Sequence, residues 1–223
     1  TPIKSSAASD VYKRQFGNGQ TAIEFFSEEK MINKNTIAPV DPAKVYRLLN
    51  IGPTTVVSAA FDGKVDALAV AWACNLDLMP CKATIVVDKT HYTRALIEKS
   101  GYFALQLPTV SIAKTVLALG SISENDDPEK LKHSEGTFFY QDGFDIPLLA
   151  GCVAWMIFKV IPNEFNEKTY DLFAGECVAA WSDTRVFRDG HFHFETAPDD
   201  LRTLHYVAGG HFYTIGKAIE VSL

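Results

Sequence analysis

Paired cysteines are missing from this sequence. Its four cysteines, Cys74, Cys81, Cys152 and Cys177, are scattered and none is half of a CxxC pair, which excludes the common zinc-ribbon and dithiol motifs. Three of them, Cys74, Cys152 and Cys177, stand in apolar runs and read as buried free thiols, with Cys81 in a loop. Thiols used this way fit a reduced, cytoplasmic setting. Long hydrophobic runs are also lacking: none approaches the about 20 residues of a membrane span, and the first residues have no apolar core of a secretory signal. No membrane association is expected. Positive charge is in short supply, with 21 Lys and Arg against 27 Asp and Glu and a net charge of -6. Nucleic-acid affinity depends on cations neutralising phosphates, so nucleic acid is not an expected partner. There is no internal repeat and no low-complexity tract. What remains is ordinary globular material: 223 residues, 47% apolar and 22% charged, enough to bury a core without disulfides or metals.

Residues 1–35 are polar and weakly periodic. The run SSAASDVYKRQ resembles translated vector or adapter sequence, and Glu28-Glu29-Lys30 before Met31 resembles a translated ribosome-binding site. The expectation is a non-native or disordered extension over 1–35 and a folded domain over 36–223.

Asp41-Pro42 signals a helix start, because Asp accepts from orphan N–H groups and Pro at the first position loses no bond. That helix is expected to reach Asn50, burying Val45, Leu48 and Leu49, with Gly52-Pro53 ending it. Residues 54–61 and 65–73 are β-branched or small apolar runs joined by Asp62-Gly63, a two-residue hairpin signal. Next come a strand over 83–88, a helix over 90–99 closed by Gly101 and a strand over 102–107. Residues 109–119 carry apolar residues at helical spacing with Gly120 as terminator. The charged stretch 121–136 reads as a lid, a dimer-exposed loop or a solvated connection, with a short helical piece after Pro128. Two long strands, 152–161 and 171–181, flank a polar segment, and Asp189-Gly190 marks a second hairpin. The tail is expected to hold a short helical piece ending near Tyr206, then Gly209-Gly210 and an aromatic run. Many short strands with few helices predict a mainly β chain, an antiparallel barrel with helical insertions.

Two stretches could carry chemistry. The helix start Asp88–Arg94 gathers Lys89, Thr90, His91, Tyr92 and Thr93 around unpaired N–H groups, a natural phosphate cradle. The alternative is a capped surface helix with Thr90 as N-cap and Arg94 paired to Glu98. The strand before it holds Ala67, Ala69, Ala71 and Ala73, small enough for a planar heterocycle to approach the backbone, although tight strand packing also wants alanine.

Taken in order, Asp66-Ala67-Leu68-Ala69-Val70-Ala71-Trp72, Pro80-Cys81, Tyr92-Thr93-Arg94-Ala95-Leu96-Ile97, Gly101-Tyr102-Phe103-Ala104-Leu105-Gln106 and the tail Tyr206 to Tyr213 resemble the flavin reductase-like family with the FMN-binding split-barrel fold, in its flavoredoxin-type members. The resemblance spans roughly residues 40 to 217. It implies an antiparallel split β-barrel with a few short helices, and FMN as cofactor. It places the FMN phosphate near Lys89, Thr90, His91, Tyr92 and Thr93, and the isoalloxazine edge along Ala69, Val70, Ala71 and Trp72. It also implies NADH or NADPH as electron donor, and a homodimer with flavin sites near the interface. Ala69 and Ala71 stand where the family usually has hydroxyls, Cys81 where it has proline and Gln106 where it has asparagine, so backbone contacts would hold the ring. No catalytic acid or base is nominated, because the flavin carries the hydride chemistry. The expected function is an FMN-binding oxidoreductase passing electrons from NAD(P)H to flavin or another acceptor; the alternative is a flavoredoxin-like carrier with no nicotinamide reaction of its own. A third reading takes His191 and His193, on one strand face, as metal ligands that need a further donor.

Overall fold

The computed structural model describes residues 33–48 and 54–222. Residues 1–32 of the extension expected over 1–35, the end of the first helix at 49–50 and the Gly52-Pro53 stop lie outside the described residues, as do the Leu48 and Leu49 side chains; residues 33–35 are described and enter a 3-10 turn, Lys34–Thr36, capped by Asn33. Asp41 does start a helix, accepting from the Ala43 N–H at 3.0 Å through Oδ1. It is a 3-10 helix, Pro42–Leu48, with Val45 buried.

The chain is mainly β. One eight-stranded antiparallel sheet holds β1 (Ile37–Pro39), β2 (Thr55–Phe61), β3 (Lys64–Val70), β4 (Ala73–Leu78), β5 (Cys81–Val86), β6 (Tyr102–Pro108), β9 (Cys152–Ile161) and β10 (Leu172–Asp183). The strand order is β3-β2-β6-β9-β10-β5-β4, with β1 on β10. The two ends of this path, β3 and β4, are consecutive in sequence but pair with β2 and β5 instead. The barrel is therefore split between them, at Ala71 and Trp72.

Strands β2, β6 and β9 are buried almost throughout, which explains their unbroken apolar runs. One face packs a core with Val57, Leu68, Ile85, Phe103, Phe158 and Phe173. The other packs a second core with Val56, Ala67, Leu119, Leu149 and Trp155. Helix α1 (Tyr92–Ser100) sends Leu96 and Ile97 into the first core and ends on Gly101 at φ 72°, as its sequence predicts. Helix α2 (Ala113–Ser121) sends Val116 and Leu119 into the second. It runs past Gly120 rather than stopping there. A Cβ on Gly120 would meet Ala69 Cβ at 3.2 Å, so this glycine serves close helix-to-strand packing rather than termination. The stretch 121–136 contains a short helix, α3 (Lys130–His133), followed by a small ladder of β7 (Phe138–Phe139) and β8 (Leu148–Leu149).

The Asp62-Gly63 hairpin forms as expected, with Phe61 opposite Lys64, both turn residues at positive φ. Asp189-Gly190 likewise joins β11 (Phe187–Arg188) to β12 (His191–Phe192). Five expectations are corrected. The strand expected over 65–73 ends at Val70, and β4 begins a new hairpin with β5 that includes Cys81, which is a buried strand residue rather than a loop residue. Cys74 lies on the exposed strand β4 and Cys177 is half-buried; of the three thiols read as buried, Cys152 is. The polar segment before β10 is a helix, α4 (Glu164–Tyr170), capped by Asn163 Oδ1 accepting from Asn166 N–H at 3.0 Å. The tail has one 3-10 turn at Asp199–Leu201 and then a hairpin, β13 (Leu204–Ala208) with β14 (His211–Thr214). Gly209 and Gly210 both take positive φ there, as the two central residues of a tight hairpin turn between Ala208 and His211 do.

Candidate functional site

The start of α1 and the small-residue strand β3 face the same space. Leu68 and Ala69 of β3, His91 at the N-cap of α1 with Tyr92 and Thr93, and Leu119 to Glu124 at the end of α2 and just beyond it enclose a hollow of about 150 Å³ floored by Asp66 and Lys130. A second hollow of about 150 Å³ adjoins it, sharing Ala69, Gly120 and Ser121, and extends along Ala71 to the rings of Tyr206 and Phe212. Those rings are 5.2 Å apart. Their hairpin hangs on the start of β2, where Thr54 Oγ1 accepts from Tyr206 N–H at 2.7 Å. Side by side, with three lining residues in common, the two hollows make a groove along β3, whose outer edge pairs with no strand among the described residues.

Of the residues singled out in the sequence, Ala69, Ala71, His91, Tyr92 and Thr93 line this groove. Val70 points the other way, into the first core. Lys89 and Thr90 lie exposed beside the hollow. Trp72 stands at the split with 73% of its surface exposed and lines neither hollow. His91 is the residue at the N-cap, without a side-chain cap bond. Thr90 instead donates its N–H and hydroxyl to Asp88 Oδ1, at 2.8 and 2.7 Å; these two bonds hold the Asp88 carboxyl below its ordinary range.

Arg94 does not reach the groove. It donates to Glu98 at 2.8 Å, to the Val87 carbonyl at 3.0 Å, to the Glu167 carbonyl at 2.7 Å and to Asp171, and it lies 5.2 Å from the Phe173 ring centre. It fastens α1 to α4 and β10. Gln106 is equally committed: its Nε2 donates to Ser58 Oγ at 2.9 Å and its Oε1 accepts from Leu149 N–H at 2.6 Å.

The floor of the first hollow was not foreseen. Asp66 is 1% exposed and Lys130 2%; Lys130 Nζ donates to Asp66 Oδ1 at 2.9 Å, and the Thr93 hydroxyl donates to Asp66 Oδ2. A carboxylate buried this far needs such partners. Glu124 adds a second carboxyl whose Oε2 is buried without a hydrogen-bond partner among the described residues. Burial, then the nearby Asp66 charge, pushes Glu124 up to about 7, against a pull from Lys130. Asn125 beside it donates to the Thr90 carbonyl at 3.0 Å, tying this loop to the start of α1. In sequence the only hint was a Lys and a Glu within a charged stretch.

His191 and His193 have ring centres 4.0 Å apart, and His193 Nδ1 lies 3.2 Å from Glu195. No group of three or more His, Cys, Asp or Glu placed to hold a metal ion occurs among the described residues.

The flavin reductase like domain model matches residues 49–215, three quarters of the chain. The chain belongs to the flavin reductase like domain family. Among solved structures, this family member is similar to an FMN-binding domain of a flavin reductases-like enzyme from Shewanella baltica OS155, with 48% identity, a TM-score of 0.82, and coverage of 83% of this chain and 97% of that one. It is 35% identical to the uncharacterized protein YddH of Escherichia coli (strain K12), over 81% of this chain and 96% of that protein. Flavoredoxin from Methanosarcina acetivorans shares the fold at 22% identity, with a TM-score of 0.63 over 77% of this chain and 88% of that one.

Proposed function

We propose that this protein is an FMN-dependent oxidoreductase that takes electrons from NADH or NADPH and passes them to flavin or another acceptor. The observation that carries the reading is the single groove joining the alanine-lined edge of β3 to the start of α1. The residues there fit FMN. Ala71, exposed beyond the contact of Gly120 with Ala69, leaves room for a flat ring against the main chain, and Tyr206 and Phe212 offer aromatic walls. Lys89, His91 and the free amides that open α1 would hold the anionic tail, rather than the acid-floored end of the hollow. The Thr93 hydroxyl is committed to Asp66, so Thr93 would contribute its main-chain N–H. When bound, FMN supplies the two-electron chemistry. The protein's part is to orient the ring, exclude water, and hold a proton at Glu124 Oε2 within the same groove.

The reading extends to a homodimer. Trp72, Leu76, Leu78 and Met79 are all exposed on or beside β4, next to the split, apolar side chains of the kind that a partner surface covers. It also extends to a cytoplasmic setting and to a domain over residues 36–223, in keeping with four free thiols.

The purified protein should be yellow and release FMN on denaturation. Anaerobic NADH or NADPH should bleach it; a yellow protein that neither nucleotide bleaches is a carrier, and a colourless protein that takes up no added FMN overturns the reading. Lys89→Ala with His91→Ala should lower FMN retention well below that of His191→Ala. Equal retention would remove the assignment of the tail to α1.

A further inference from the structure

Strands β5 and β10 run antiparallel with Leu172 opposite Val86 and each next residue in step, down to Glu176 opposite Lys82. The same register continued one step past the last pair brings Cys177 opposite Cys81, and the two thiols are in hydrogen-bonding contact. Both thiols lie on the inner side of the sheet. Cys81 alternates with buried Ala83 and Ile85, and Cys177 alternates with buried Phe173 and Gly175. Cys81 is part of the first core and Cys177 packs against it. Residues directly opposite in an antiparallel pair have Cα atoms about 4.5–5.5 Å apart, inside the range that disulfides span.

The ladder ends at this point, and the space beyond it is open. A hollow of about 290 Å³ is lined by both cysteines together with Pro39, Met79, Pro80 and Trp181. The two thiols also set each other's acidity in opposite directions. Contact with Cys177 holds Cys81 below the usual thiol range, and contact with Cys81 pushes Cys177 well above it. Since the thiolate is the nucleophile, Cys81 is the attacking sulfur and Cys177 the resolving one.

We propose that Cys81 and Cys177 form a redox-active dithiol, oxidised by low-molecular-weight disulfides to a bridge between β5 and β10. In the first step the Cys81 thiolate attacks one sulfur of the disulfide RSSR. Its S–S bond breaks, a mixed disulfide forms on Cys81, and the departing thiolate takes up the proton that Cys81 gave away. Cys177 then loses its proton and attacks the Cys81 sulfur, releasing the second RSH. Two protein thiols are thereby oxidised by two electrons and RSSR is reduced to two RSH. Opposed strand residues hold their Cβ atoms slightly further apart than an unstrained bridge prefers. The bridge should therefore be reduced easily, as labile regulatory disulfides are. This site rests on the sulfur geometry and is independent of the flavin reading.

The test treats the whole, unmodified chain with 2-hydroxyethyl disulfide and maps non-reduced peptides by mass spectrometry. The expected product is a cross-link between the Cys81 and Cys177 peptides that dithiothreitol reverses, with a simple adduct on exposed Cys74 and a free thiol at buried Cys152. In Cys177→Ser the reaction should halt at the mixed disulfide on Cys81. A wild-type chain that carries an adduct on Cys81 with Cys177 still free, that bridges either thiol to Cys74, or that leaves both unreacted while Cys74 is modified, overturns the proposal. The wild-type result decides, whether or not the variant folds.

Discussion

At the scale of single residues, the groove floor is where charge and burial conflict most. Asp66 is stabilised in the interior by Lys130 and Thr93 alone among the described residues. Lys130→Met should leave a buried, unmatched carboxylate and cost about 3–5 kcal/mol in urea unfolding. Adding Asp66→Asn should recover most of that loss, because the charge needing a partner is gone. Glu124 has the opposite problem, a carboxyl whose folded form favours its proton. Its folded value of about 7 lies above the ordinary 4.5, so between those two pH values the folded chain keeps a proton that the unfolded chain has released. Stability from this group is present at the acid end of the window and is lost as pH rises through about 7. Denaturation midpoints of the wild type should fall across that window, and those of Glu124→Gln should fall less. Little of this floor could be read from the sequence, since Asp66, Thr93, Glu124 and Lys130 meet only through tertiary packing.

At the scale of elements, the structure rewards local signals and defeats averaged ones. Asp62-Gly63 and Asp189-Gly190 formed their hairpins because turn geometry is decided by the two residues in it. Strand β4 does alternate Cys74, Leu76 and Leu78 with Asn75 and Asp77, but its apolar side faces outward rather than into a core, so the pattern points away from the buried strand it would ordinarily mark. Helix α4 was missed because none of its residues is buried and it therefore lacks an apolar stripe; its Asn163 cap and Glu164–Lys168 pair were the available clues. The tail hairpin was misjudged because a glycine pair such as Gly209-Gly210 suits a helix terminus as well as a tight turn. The alanines and the Asp88–Arg94 cluster were legible as separate pieces, and their meeting in one groove depends on α1 crossing the sheet edge. Close packing between strands makes a further prediction. A Cβ on Gly175 would lie 2.8 Å from both Phe103 and Phe158, and these rings stack at 5.2 Å. Gly175→Ala should overpack the first core and cost about 1–3 kcal/mol, seen as a lower urea midpoint with an unchanged slope.

At the scale of the whole molecule, the exposed apolar edge beside the split is the feature a second copy would cover. Leu78→Glu with Met79→Glu should halve the mass in light scattering, and flavin retention should fall with it if the groove is completed by the partner. A dimer that survives both changes would move the interface elsewhere. The order of strands also dictates a schedule for the growing polypeptide. Everything up to Pro108 can make two separate ladders, β3-β2-β6 and β4-β5, with no hydrogen-bonded strand between them. Only β9 and β10, emerging from the ribosome some tens of residues later, stitch the halves together. During that interval two half-sheets wait with apolar faces bare, a state prone to sticking to its neighbours. Slowing translation between Pro108 and Cys152 should therefore raise this protein's demand for chaperones more than the same pause placed after Asp183.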